Sequence, residues 1–456
     1  MVLRLAGVIP LAFAVTSVAA AQTNNPAGPP VARSDYALTN VRIVTAPGRV
    51  IERGTVVFVN GRISAVGANV QVPPGVVRMD LAGHTVYPGL IDAATSVGLP
   101  SPMRPLPGQE AAAGGRGGGG RGAGQPLGRG GPGQPPVDLP EVEADAEAAD
   151  LFQPSEAELR ALRAGGVTTV GLVFNGGIFP GRVGAALTGT RENSNLALRP
   201  TAAQQVSFGT KRGGQYPGTG IGSVAFIRQS YLDAQYEARL EKAFKDGVPG
   251  ARPSNERFAR ALVPAATNAI PSWFVANNER QMFRVADIAA EMGLKNPVVV
   301  GAQEGWRAVA ALKRVGATAV VSVMYPDPTQ VTGRVFQAIG LGKSGTASAP
   351  TAADTIEVHG NAAALIKAGI PVALASYGGA SGSTFRDNIR LAIAAGLSPD
   401  DALRAVTVTP AALLGVTAAV GTIEVGKLAN VVVVNGNDLF SGSSSIKHVF
   451  VEGRLY

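Results

Sequence analysis

Cysteine is absent from the 456 residues. That excludes a disulfide scaffold, an iron–sulfur cluster, a thiol nucleophile and any Cys-ligated zinc. Histidine is nearly absent, with only His84, His359 and His448. Hydrolytic metal sites in soluble enzymes lean on several imidazoles, so three scattered ones leave little material for such a site. Aromatic residues make up 5% and charged residues 16%. Apolar residues nevertheless reach 46%, enough for a large buried core and too many for a disordered chain.

The net charge of +8 suggests a nucleic-acid partner until its placement is considered. Half of it comes from Arg4 and from the stretch 101–136, where Arg104, Arg116, Arg121 and Arg129 outweigh Glu110. The acidic run from Asp138 to Asp150 follows directly. No basic stripe with interleaved aromatics occurs, so no nucleic-acid groove is expected.

Met1–Arg4 is a short basic start and Leu5–Val18 an apolar run of the length of a secretory signal. Ala19-Ala20-Ala21 offers a small-residue cleavage site, so residues 1–21 read as a signal peptide and the mature chain should begin at Gln22. The run is too short for a membrane span, and no Cys follows it to carry a lipid anchor. These features imply a periplasmic or secreted protein.

Residues 36–86 are rich in β-branched residues broken by Gly or Pro, and Asn60-Gly61 is a two-residue hairpin signal. The far end, 419–456, reads likewise, with Glu452-Gly453 as a turn. Both ends are expected to pair in one small β-sandwich. Between them, residues 87–418 alternate apolar strands with amphipathic helices, the pattern of a parallel sheet. At this length a (β/α)8 barrel is the expected fold, α/β in class. The helix Ser398–Leu414 is expected to open with Ser398 as N-cap and Pro399 at its first position. Residues 101–136, dominated by Gly, Pro and Arg, are expected to form a disordered loop after the first barrel strand.

Three short motifs point to no chemistry. Gly342-Lys343-Ser344 lacks the earlier glycine of a phosphate loop, because Gln337 stands there. Gly218, Gly220 and Gly222 read as a turn into a helix. Ser381 lacks the last glycine of a nucleophile elbow.

Thr85-Val86-Tyr87-Pro88-Gly89-Leu90-Ile91-Asp92 resembles the segment leading into the first barrel strand of the amidohydrolase superfamily, in its imidazolonepropionase-like branch. The stretch from Gly421 to Asn430 and the ending Lys447–Gly453 resemble that family's return to its sandwich. Ser398–Leu403 and Thr409-Pro410-Ala411 are similar to its penultimate helices. The resemblance covers both ends and the later barrel, while 100–260 matches poorly. It implies a hydrolase of non-peptide C–N bonds that uses zinc or another divalent metal.

Carried over residue by residue, the same resemblance removes that chemistry. The family's first strand ends in Asp-x-His-x-His; here Asp92 is followed by Ala94 and Ser96 at the imidazole positions. The fifth strand offers Val275 where the family has His, and the sixth offers Gly301. The eighth offers Tyr377 where the family has an Asp. No bound metal or other cofactor is therefore expected. Asp92, Ser96, Asn277, Glu304, Ser376, Tyr377 and His359 are the candidate pocket residues, able to hydrogen-bond a polar ligand without a metal. Two functions follow. One is a non-catalytic protein that binds a small polar ligand or partners an active amidohydrolase homologue in a hetero-oligomer. The other is an active C–N hydrolase of cyclic amides or dipeptide-like substrates, with an atypical site built from His359 and from Asp92, Glu304 or Glu279.

Overall fold

The computed structural model describes residues 35–100, 143–190, 196–209, 216–254, 256–325, 352–377 and 382–456. The signal segment, the Gly/Pro/Arg tract 101–136, Gly342-Lys343-Ser344 and Ser381 lie outside them.

Strands β1 (Tyr36–Ala46), β2 (Arg49–Val59), β3 (Arg62–Gly67), β4 (Val77–Asp80) and β5 (His84–Pro88) come from the N-terminal segment. Strands β14 (Val431–Asn435), β15 (Ile446–Val451) and β16 (Arg454–Leu455) come from the other end. They form one sheet in the order β16-β15-β14-β5-β1-β2-β3, with β4 beside β1. The two ends join where β14 runs antiparallel to β5, Val433 opposite Val86. Asn60 and Gly61 take φ of 52° and 77°, the left-handed turn expected between β2 and β3.

The expected sandwich is thus one continuous sheet that folds over its own core. Phe450 on β15 meets Phe58 on β2 edge to face, with ring centroids 5.3 Å apart. Ile43, Ile63, Val86, Val431 and Phe450 share that core. Fully burying one such side chain contributes about 1.5–3 kcal/mol.

The second sheet has eight strands: β6 (Leu90–Thr95), β7 (Val167–Leu172), β8 (Arg182–Leu187), β9 (Ala197–Ser207), β10 (Ser272–Ala276), β11 (Val298–Gly301), β12 (Thr318–Ser322) and β13 (Val372–Ala375). They follow one another in chain order, and β13 returns to β6 to make a nearly closed barrel. Its strands are parallel except β8, which is antiparallel to both β7 and β9. This excursion falls in the part of the chain that matches the family poorly.

Alternation along the strands separates two faces. Phe274, Val299, Val321 and Leu374 face outward against the helices. Those helices include α1 (Glu156–Ala164), α2 (Gly220–Lys245), α3 (Arg257–Ala266), α4 (Glu279–Met292), α5 (Val309–Arg314), α6 (Ala352–Lys367) and α7 (Gly382–Ala394). Ile91, Ala93, Ala94, Trp273, Val300, Val320 and Ala375 face the lumen. Many lumen residues are alanines, and the fully buried Trp273 indole fills the space they leave.

One helix expectation is corrected. Ser398–Leu414 is two helices, α8 (Pro399–Ala405) and α9 (Val408–Leu413). Pro410 has no N–H for the Val406 carbonyl four residues back. That carbonyl instead accepts from Ile91 N–H on β6 at 2.7 Å. Before β12 the chain makes a 3-10 turn, Gly305–Arg307, and then the short α5; Asn361 on α6 accepts from Trp306 N–H at 3.0 Å and holds the turn.

Candidate functional site

Ligands of a (β/α)8 barrel bind at the C-terminal ends of its strands. Those ends carry Ser96 after β6, Asn277 after β10, Glu304 after β11 and Ser376-Tyr377 after β13. Their floor is apolar. Val275 and Tyr377 are partly buried and pack on the lumen cluster that holds Ala94, Val300, Ala375 and Trp273.

Asp92 and Ser376 stand together, at the seam where β6 meets β13. Ser376 N–H donates to Asp92 Oδ1 at 2.9 Å, its hydroxyl donates to Asp92 Oδ2, and Ala94 N–H donates to Oδ1 at 3.3 Å. Asp92 is fully buried and Ser376 nearly so. The β6–β7 register shifts on either side of Asp92, and the carboxyl reaches across to the end of β13. Desolvation raises the Asp92 carboxyl to about 6, against the pull of these three donors. Through these hydrogen bonds Asp92 ties β6 to the end of β13.

Asn277 and Glu304 form a second group. Glu304 N–H donates to the Asn277 carbonyl at 3.0 Å, and Glu304 Oε2 accepts from Glu279 N–H at 2.8 Å. The carboxylate thereby caps the first turn of α4, where Asn278 and Gln281 form a reciprocal capping box. Burial, opposed by that hydrogen bond and by Arg307, raises the Glu304 carboxyl above its ordinary value. Gly301 has φ of 95°, and a Cβ built there would fall 1.9 Å from Asn277 Oδ1. The Asn277 carboxamide thus occupies the space that any side chain at 301 would need.

His359 lies on α6, the helix whose Asn361 and Glu357 bond Trp306 and Arg307 just after Glu304. Its ring lies 4.3 Å from that of Tyr325, and burial lowers its pKa, so the imidazole stays neutral at pH 7. Burial also pushes the Tyr377 phenol up to about 12, which leaves it a hydrogen-bond donor and no base. The hydrogen bonds of the described residues link Asp92 to Ser376 and Asn277 to Glu304, and neither pair to the other. Tyr325, and the Arg307–Glu357 ion pair of 3.4 Å beside the same rim, carry no mark in the sequence. Only spatial proximity across unrelated segments identifies them.

The donor set can be tested against a hydrolytic metal. Such a centre needs about three protein ligands and an open position. Among the described residues no three His, Asp or Glu side chains converge to hold an ion. Asp92 is committed to Ser376, Glu304 to the start of α4, and His359 lies against Tyr325. The described residues do not fit the metal that the fold family implies.

Residues 307–456 match the amidohydrolase family model. A stretch of 68 residues is 43% identical to adenine deaminase 2 of Jannaschia sp. (strain CCS1); it is 15% of this chain and spans only 10% of that relative. An amidohydrolase from Thermotoga maritima superposes with a TM-score of 0.70 at 21% identity, over 92% of this chain and 99% of that one. Molinate hydrolase gives 0.52 at 19% identity, over 93% and 94%. A prolidase complexed with N-methylphosphonate-L-proline gives 0.52 at 16%, over 93% and 99%. The chain has the amidohydrolase fold, and its last third carries the family's sequence pattern. The likeness read from the sequence holds at that level, which is broader than the imidazolonepropionase-like branch.

Proposed function

We propose that this protein uses the amidohydrolase barrel to bind a small polar ligand without hydrolysing it. The observation that carries this reading is the set of side chains at the strand ends. Ala94, Ser96, Val275, Gly301 and Tyr377 stand where the resemblance would place four metal ligands' worth of imidazole and a carboxylate. None is a good ligand, and a phenol held near 12 cannot take a proton at pH 7. What remains is an apolar floor with Ser96, Asn277, Glu304 and Tyr377 around it, the mixture usual in small-molecule sites.

Equilibrium dialysis against small amides and dipeptide-like compounds, with chelator present, tests this. Saturable binding without turnover, weakened by Tyr377→Phe and Glu304→Gln, is expected. Absence of binding across the panel, or turnover that chelator abolishes, would overturn it. A hetero-oligomer with an active homologue is the form in which such a subunit would act. We further infer export with cleavage before Gln22, on the strength of the basic start, the apolar run and Ala19-Ala20-Ala21. N-terminal sequencing of envelope protein should read from Gln22; a start at Met1 in the cytosol would contradict it.

A further inference from the structure

A cavity of about 380 Å³ opens on the composite sheet, lined by residues of β1, β2 and the turn before β5 together with Asn437. Its volume lies within the range of small-molecule sites. Asn40 and Arg42 alternate on β1 with the buried Val41 and Ile43, so both point away from the sheet's core. Asn40 sits at φ 56°, where the β1–β2 register shifts. That bulge brings its side chain between β4 and β2. Its Nδ2 donates to Asp80 Oδ2 at 3.1 Å, and its Oδ1 accepts from Arg53 Nη2 at 2.9 Å.

The cavity's lining is cationic. Two guanidinium groups, Arg42 and Arg53, face one carboxylate, Glu52, and His84 lines the same cavity. Glu52 is held by Arg42 Nε at 3.2 Å, and Arg42 Nη1 donates to the Asn437 carbonyl at 3.2 Å. Among the described residues no ion pair joins a carboxylate to Arg53, whose Nε–H and Nη1 groups remain for a ligand. His84 Nδ1 lies 3.1 Å from the Ala82 carbonyl, which can only accept, so Nδ1 carries a proton and the ring is fixed against the backbone at the cavity's edge.

We propose that this cavity binds a small organic oxyanion, a carboxylate or phosphate group seated on the Arg53 guanidinium with Arg42 as the second cation. A planar guanidinium fork matches two oxygens of such a group. Asn40, tied to Asp80 behind it, holds the fork in place.

The test titrates the full chain with inorganic phosphate and with citrate, and floats it with phosphatidylcholine vesicles with or without phosphatidylglycerol. Saturable binding of a soluble anion, weakened about ten-fold or more by Arg53→Gln and unchanged by Glu304→Gln at the barrel mouth, is expected. Binding to phosphatidylglycerol vesicles alone, lost in Arg53→Gln, would support the same site with a lipid headgroup as the source. Because Arg53 is exposed, the variant should melt as the wild type does, and Arg53→Lys, which keeps the charge but not the fork, should also bind more weakly than the wild type. No binding to any of these probes, or binding indifferent to Arg53, overturns the proposal.

Discussion

Asp92 combines complete burial with three hydrogen bonds from its own surroundings, and the two influences oppose each other. Burial prevails and the carboxyl titrates near 6 instead of 3.8. A carboxyl raised in the folded state stabilises the fold below its unfolded pKa, and that contribution is lost as pH rises through the folded value. The window is about pH 4 to 7, and the loss is on the order of 3 kcal/mol. Asp92→Asn keeps an acceptor for the Ser376 and Ala94 amides and cannot ionise. Melting curves at both ends of that window should show the variant gaining on the wild type as pH rises. A constant gap would mean that Asp92 does not titrate there. At Gly301 the argument is steric. Gly301→Ala combines a left-handed φ with a Cβ 1.9 Å from Asn277 Oδ1, and should cost about 1–3 kcal/mol by denaturant midpoint. Adding Asn277→Ala should recover the steric part; no recovery would place the cost in the backbone alone.

At the scale of elements, the hairpin at Asn60-Gly61 and the barrel strands were legible because apolar period and turn chemistry agree there. Strands β8 and β9 were not. Ala197–Ser207 carries Pro200 and Gln204-Gln205, which reads as polar loop. Both glutamines are fully buried, and their amides bond backbone: Gln205 spans the N–H and C=O of Phe174 at 2.7 and 2.8 Å, and Gln204 reaches the Gly181 carbonyl at 2.9 Å. Gln205, with both ends of its amide bonded, behaves as core, and nothing local announces it. The break at Val406-Thr407 was legible in principle, since Pro410 stands four residues on. The use of the freed carbonyl by Ile91 was not, because it needs the folded barrel. For the composite sheet, deleting Lys447–Tyr456 removes β15 and β16 and leaves β14 an unpaired edge, with Val449, Phe450 and Val451 gone from the core. Loss of soluble yield and a fall in melting temperature of several degrees are expected. An unchanged melt would refute the shared sheet.

For the whole molecule, the two chain ends carried the fold in their sequence, because matching segments recur in the same order at 85–92, 398–411, 421–430 and 447–453. The candidate site was legible only as a set of positions. That Asp92 pairs with Ser376, 284 residues away, depends on where the barrel closes. That Asn277 fills the space above Gly301 depends on two neighbouring strand ends meeting. The central claim, a barrel mouth that works without a metal, meets its most direct test in elemental analysis of protein incubated with zinc and desalted. The account predicts far less than one equivalent of metal, and a melting temperature that chelator leaves unchanged. One or more equivalents, removed by chelator together with a C–N hydrolase activity, would contradict it.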